Sequence, residues 1–190
     1  MVMKSMSNGP IFFSLEIVNI KDPKEERFSS RADGSSFILG KMNHLFSIRP
    51  QFVKEYLLFQ KYPEEGVRLS AVFGGGPSIG FIKPYHIRYP DDNDLRTTRS
   101  VPYDPSIHQI HNIRGSGGFL SGFDNARLTM GVNMKLGLNF EFAQERNAVS
   151  GVEGGWSLEY YPNTVDIMNR ENNVSLYSAV YIIIYYGSKL

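Results

Sequence analysis

The chain has 190 residues, 42% of them hydrophobic and 21% charged, with 20 Lys and Arg against 19 Asp and Glu. That length suits one folded domain, residues 1–190, and a net charge of +1 supplies no basic field for nucleic acid. The absence of cysteine excludes disulfides, thiolate metal sites and cysteine nucleophiles, and no run of 18 or more apolar residues offers a transmembrane helix.

Residues 1–10 read as an N-terminal extension. They carry Lys4 but lead into no apolar core of 7–15 residues with a small-residue cleavage site, so no signal peptide is legible. From there the chain alternates. Phe13, Leu15 and Ile17 oppose Ser14 and Glu16. In 46–58, Phe46, Ile48, Pro50, Phe52, Tyr56 and Leu58 share a face opposite Ser47, Arg49, Gln51 and Glu55. Residues 67–81 alternate again, with Val67, Leu69, Ala71 and Phe73 opposite Arg68 and Ser70.

The run RLTMGVNMKLGLNFEF (127–142) is the clearest: every even position from Leu128 to Phe142 is apolar, and the odd ones include Asn133, Lys135, Asn139 and Glu141. Val152, Trp156, Leu158 and Tyr160 oppose Glu153, Ser157 and Glu159, and the last run sets Leu176, Val180, Ile182, Ile184 and Tyr186 against Ser175, Tyr177, Ala179 and Tyr181. Period two in six segments predicts an all-β chain.

The connections 62–66 and 145–149 are short, whereas 21–42, 85–126 and 162–173 are long and polar. Strict alternation of short and long connections is the pattern of an antiparallel up-and-down transmembrane β-barrel, with 85–126 as a long extracellular loop. A 16-residue strand spans roughly 54 Å, far more than the roughly 5–6 residues of an ordinary soluble strand. Six strands are too few for such a barrel. A further pair is expected in 35–42 or in FLSGFDNA (119–126), giving about eight strands around a lumen filled by side chains.

Glu16, Arg49, Glu55, Arg68, Lys135, Glu141, Glu153 and Glu159 all lie opposite the apolar faces. With both signs present, they predict a polar lumen network rather than an open pore. Trp156, Tyr160, Tyr161, Tyr185 and Tyr186 are expected as interfacial aromatics, with outer-membrane lipids as the surroundings. The same alternation also fits a soluble lipocalin-like barrel, its charges outside and its apolar set lining a pocket for an apolar ligand.

Other motifs carry less chemistry. His108 and His111, three residues apart in DPSIHQIHN with Asp104 nearby, are weak metal candidates, since no Glu stands in the HExxH place and the segment lies in a long loop, and no cofactor is expected. Asp104, Ser106 and His108 could be assembled into a loop-based hydrolytic set, but three polar residues so close in sequence are ordinary turn chemistry, and no catalytic residue is assigned. GGGPSIG (74–80) lacks the Lys-Ser/Thr of a phosphate loop and sits inside a strand, where glycine serves bending or close packing.

In chain order, NIKDPKEER, ILGKMNHLFSIRPQF, GGGPSIGFIKPYHI, YDPSIHQIHNIRGSGGFLSGF, KLGLNFEF and LEYYPNTVDIM cover nearly the whole sequence. On these segments, above all GPSIGFIKPYHI and KLGLNFEF, the chain resembles a family of small outer-membrane β-barrel proteins of Bacteroidota. The resemblance implies export, a signal peptide in the precursor and outer-membrane insertion, and carries no enzymatic residues. The final YYGSKL lacks the terminal aromatic of many such barrels. The expected role is structural or accessory, in contact with other outer-membrane proteins. The soluble carrier is the second reading and a loop-based enzyme the third.

Overall fold

The computed structural model describes residues 7–30, 34–60, 67–91, 97–143, 148–169 and 173–188. In chain order the strands are β1 (Ser7–Ile20), β2 (Arg27–Ser29), β3 (Ser36–Ile38), β4 (Asn43–Gln60), β5 (Val67–Pro84), β6 (His86–Pro90), β7 (Thr98–Pro102), β8 (Gly115–Ser116), β9 (Arg127–Ala143), β10 (Ala148–Tyr160) and β11 (Leu176–Ser188). A single turn of 3₁₀-helix, Ile110–Asn112, precedes β8. The fold is all-β.

The long strands make one six-stranded sheet in the order β1-β4-β5-β9-β10-β11, each neighbour antiparallel. Consecutive long strands are adjacent, so the sheet is a meander, and it curls into a half-barrel. No ladder joins β1 to β11 among the described residues. The further strand pair expected in 35–42 or 119–126 is not in this sheet. Residues 36–38 pair instead with β2 in a separate two-stranded ribbon, and 119–126 consist of turns and a bend. Three residues of SFI and the glycine-punctuated FLSGFDNA are too short to add a stave of 13–18 residues like the others.

Two boundaries also differ from expectation. The first strand starts at Ser7, inside the segment read as an extension, because the alternating pattern is extended backward by pairing Ser7 opposite Leu57. The segment 85–126 is no simple loop: β7, β6 and β8 form a three-stranded sheet within it. Residues 62–66 and 145–147 of the expected short connections lie outside the described residues.

The sheet has two unlike faces. Glu16 on β1 reaches Lys135 on β9, and Arg49 on β4 reaches Glu159 on β10. Strands three places apart can touch only across the inside of a curl, so this polar face is the concave one. By the two-residue period the intervening residues are convex. They include Ile17 at 72% exposure, Val132 at 59% and Ile184 at 80%.

Beyond the ends of the strands the connections pack over the sheet as a cap. Phe37, Tyr85, Ile87, Tyr103 and Ile113 form one buried apolar cluster; Leu45, Tyr161, Val165 and Ile167 form a second. Lys41 lies buried between the connections, 2.6 Å from Glu25. Burial pulls the Lys41 ammonium below its ordinary pKa, against the opposing influence of the Glu25 carboxylate.

Candidate functional site

The concave face collects all eight charged residues singled out by their parity. Near the cap, Glu159 is 2% exposed and accepts from Arg49 Nε at 2.9 Å, from Ser47 Oγ at 2.5 Å and from the Tyr161 hydroxyl at 2.7 Å. A second bond from Arg49 Nη2 makes the Arg49 grip two-pronged. Glu16 stands 3.7 Å from Arg49 and accepts from Lys135 Nζ at 3.2 Å, while Lys135 also lies 3.8 Å from Glu153. Toward the other end, Arg68 stands 3.7 Å from Glu55 and 3.9 Å from Glu141. Unpaired ions on so buried a face would carry a large desolvation cost, and this interleaving of signs offsets it.

Neutral polar side chains fill the spaces. Gln51 donates to Asn133 at 2.6 Å. The Asn133 amide in turn donates to the carbonyl of Pro77 at 2.8 Å and lies 3.1 Å from that of Gly76. The β4–β5 ladder is interrupted here. It pairs Ile48 with Ile79 and resumes at Phe52 with Gly75, so the skipped register sets Pro50 opposite Pro77. Two prolines without N–H groups cannot bridge, and the Asn133 side chain supplies donors at the gap. Gly76 has a steric duty as well: a Cβ there would come within 2.1 Å of the Pro50 carbonyl oxygen.

Tyrosines complete the filling. Tyr181 donates to Glu153 at 2.8 Å and lies over Gly137 and Gly155, where a Cβ would meet its ring; Tyr185 donates to Asn139 at 2.9 Å. Lys135 stands 5.6 Å above the Tyr181 ring. Tyr161, at the junction of sheet and cap, is fully buried, and that burial together with its bond to Glu159 raises the phenol well above its ordinary pKa.

The aromatic residues expected at the interface divide. Trp156, Tyr160 and Tyr186 are exposed on the convex face. Tyr161 and Tyr185 are not interfacial: they point inward to Glu159 and Asn139. The reason is the two-residue period, which allows only one member of each Tyr-Tyr pair to face outward.

In the cap, His108 Nδ1 accepts the backbone N–H of Asp104 at 3.0 Å, and its ring packs on Tyr89 and Tyr103. Asp104 accepts from the Ser106 N–H at 2.9 Å and from its hydroxyl at 2.6 Å, which holds the Asp104 carboxyl below the usual carboxylate range. Ser106 therefore donates to Asp104 and His108 binds backbone: a turn, without the Ser-to-His bond that an activated nucleophile needs. His111 lies exposed in the 3₁₀ turn. Among the described residues no group of three or more His, Asp or Glu could hold a metal ion.

Sequence reasoning set Ser47, Gln51 and Tyr181 opposite the apolar faces but left them out of the lumen network, and it passed over the Lys41–Glu25 pair. The first three share the parity of the charges on their own strands, so extending the tally from charged to polar positions finds them. Lys41 and Glu25 lie in a connection without periodicity, and nothing local marks them.

The arrangement chemically favours holding over reacting: cations and carboxylates neutralise one another, and the amides and phenols cross-brace them. Comparisons with protein-family models, with curated proteins and with solved structures found no match for this chain.

Proposed function

We propose that this protein is an outer-membrane β-barrel with a structural or accessory role, acting within or beside a larger outer-membrane assembly, and that its convex face lies against lipid. The observation that carries the reading is the inverted polarity of the sheet. Leu128, Met130, Val132, Met134, Leu136 and Leu138 form a continuous exposed apolar row along β9 alone, while Glu159, Lys135 and Arg49 are buried behind it. In water such a surface would far exceed the scattered apolar exposure of a soluble monomer. In a bilayer it is the expected exterior, and alternating strands with a polar interior are the expected wall.

A lipocalin-like carrier needs the apolar set inside, and here it is outside. An open channel needs a clear bore, whereas ion pairs and tyrosines span this concave face. The resemblance to outer-membrane barrels of Bacteroidota points the same way. On this reading the cap, with its packed β6–β8 sheet, faces the exterior and is the surface available to partner proteins.

The test is whether the purified protein requires detergent and migrates differently on denaturing gels before and after boiling. Detergent dependence with a heat-induced shift is the expected result. A monodisperse protein in plain buffer with no shift would overturn the reading.

A further inference from the structure

The concave face is polar on its inner staves and changes character at the two edges of the sheet. On β1, Glu16 points inward, so Val18 and Ile20 share its side; on β11, Tyr181 points inward, so Ala179 and Ile183 do too. Both edge strands therefore carry apolar residues on both faces, as the runs Ile17-Val18 and Ile182-Ile183-Ile184 display. Between these edges lies a cavity of about 670 Å³. It occupies only the cap-side part of the seam, reached by residues 16–23 and 174–183.

The cavity is graded. Its floor is made by Glu16, Arg49 and Lys135, already joined by ion pairs; its walls are Val18, Ile20, Ala179 and Ile183; its mouth passes Ile17 and Leu176, which are exposed on the convex face. Lys21 stands at the cap-side rim, exposed and with no ion-pair partner among the described residues. The volume falls within the roughly 300–1,000 Å³ of small-molecule sites.

We infer that this seam is a lateral binding site for a single-chain anionic amphiphile, such as a long-chain fatty carboxylate. The hydrocarbon chain enters sideways from the lipid and lies along Val18, Ile20, Ala179 and Ile183. The anionic head remains at the rim beside Lys21, where headgroups and water can also satisfy edge backbone groups that hydrocarbon could not. The inference rests on the membrane reading, because it is the lipid-facing convex surface that makes a sideways mouth an entrance.

An inserted β-hairpin is the competing occupant. Because β1 and β11 run antiparallel, two added strands would keep every neighbour antiparallel. A hairpin would have to pair along the full length of both edges, which carry no ladder to one another among the described residues, so a polypeptide found in the seam is the outcome that decides against the amphiphile.

The experiment measures palmitate binding to the full chain in dodecyl maltoside by equilibrium dialysis and native mass spectrometry, with hexadecyltrimethylammonium and a neutral hexadecyl glycoside as comparison probes. The expected result is one saturable palmitate per chain. Ala179→Trp and, separately, Ile183→Trp fill the cavity and should weaken binding by roughly tenfold or more. Lys21→Glu should weaken palmitate by about three- to tenfold while leaving the neutral glycoside unchanged. Each variant is checked for the heat-induced gel shift, so that a folding failure is not read as lost affinity.

Folded protein that binds no palmitate saturably would overturn the inference. So would Trp variants that bind as well as the parent, equal affinity for the cationic probe, or a stoichiometric polypeptide occupying the seam. Loss of the gel shift and of detergent dependence in the parent chain would instead sink the membrane reading, so the two failures are separately visible.

Discussion

The sheet and its cap are built from one chain with opposite rules. In the cap, Phe37, Ile87 and Ile113 are buried together, as in any water-soluble core. In the sheet, apolar residues such as Ile182 and Ile184 are exposed while Glu159, Lys135 and Gln51 are buried. The hydrophobic effect cannot fold both regions against the same solvent. On the proposed reading, the contrast arises because the chain meets two media: water around the cap, and hydrocarbon around the staves.

The largest expected effect breaks the polar interior. Glu159→Leu strands Arg49, Ser47 and Tyr161 without their shared acceptor, and a buried ion pair broken on one side costs about 3–5 kcal/mol. Urea unfolding in detergent should register that loss, and the double change Arg49→Met with Glu159→Leu should recover much of it. A single change as mild as a surface substitution would mean that the concave face is wetter than its ion pairs imply.

The cap should respond in the ordinary way. Ile87→Ala removes a fully buried side chain and should cost the cap about 2–5 kcal/mol. Because Ile87 packs with Phe37, Tyr85, Tyr103 and Ile113, amide exchange should accelerate there while the heat-induced gel shift of the staves persists. Loss of both together would mean that cap and sheet fold as one unit.

The sharpest comparison uses a convex position. Leu136→Arg, on the middle of β9, should cost about 2–4 kcal/mol in a bilayer, where a cation on the lipid face is strongly penalised. The same change on a water-facing surface would be nearly neutral. Measuring refolding into lipid vesicles decides between these values, and a neutral outcome would place that face in water.

The smallest effect is one of pH. Tyr85, whose phenol oxygen accepts the Ile38 N–H at 2.9 Å, is pushed above its ordinary pKa by burial, as is Tyr161. An unfolded phenol ionises near pH 10, about where both folded groups still hold their protons. Between the unfolded and folded values the unfolded chain binds fewer protons, so stability falls as pH rises. The contribution is thus complete below about pH 10 and lost above it. Ultraviolet titration should place Tyr85 and Tyr161 among the late-ionising phenols, with cap melting accompanying their ionisation; either of them titrating with the exposed tyrosines would contradict the burial.

Much of this molecule was legible because a strand has a two-residue period and both faces are written in alternate letters. Lys135 and Glu141 could be assigned to one side of RLTMGVNMKLGLNFEF before any contact was known, and Arg49 and Glu55 to one side of their own strand. The Tyr160–Tyr161 and Tyr185–Tyr186 pairs show the limit of reading by composition: parity, not residue type, sends Tyr161 and Tyr185 inward. His108 and Asp104 show another limit, since the bond between the Asp104 N–H and the His108 ring is a matter of turn geometry that two letters cannot express.

By itself the sequence determined the all-β class, the six long staves and the separation of charge from apolar side chains, because alternation is a local property of extended backbone. Only the tertiary structure decided which face lies inside the curl, since alternation is symmetric between the two faces until strands three places apart meet through Glu16 and Lys135 or Arg49 and Glu159. It also decided that 36–38 join a small ribbon in the cap, and that β1 and β11 stand as facing edges beside a cavity. These are consequences of long-range register and curvature, which no window of neighbouring residues contains.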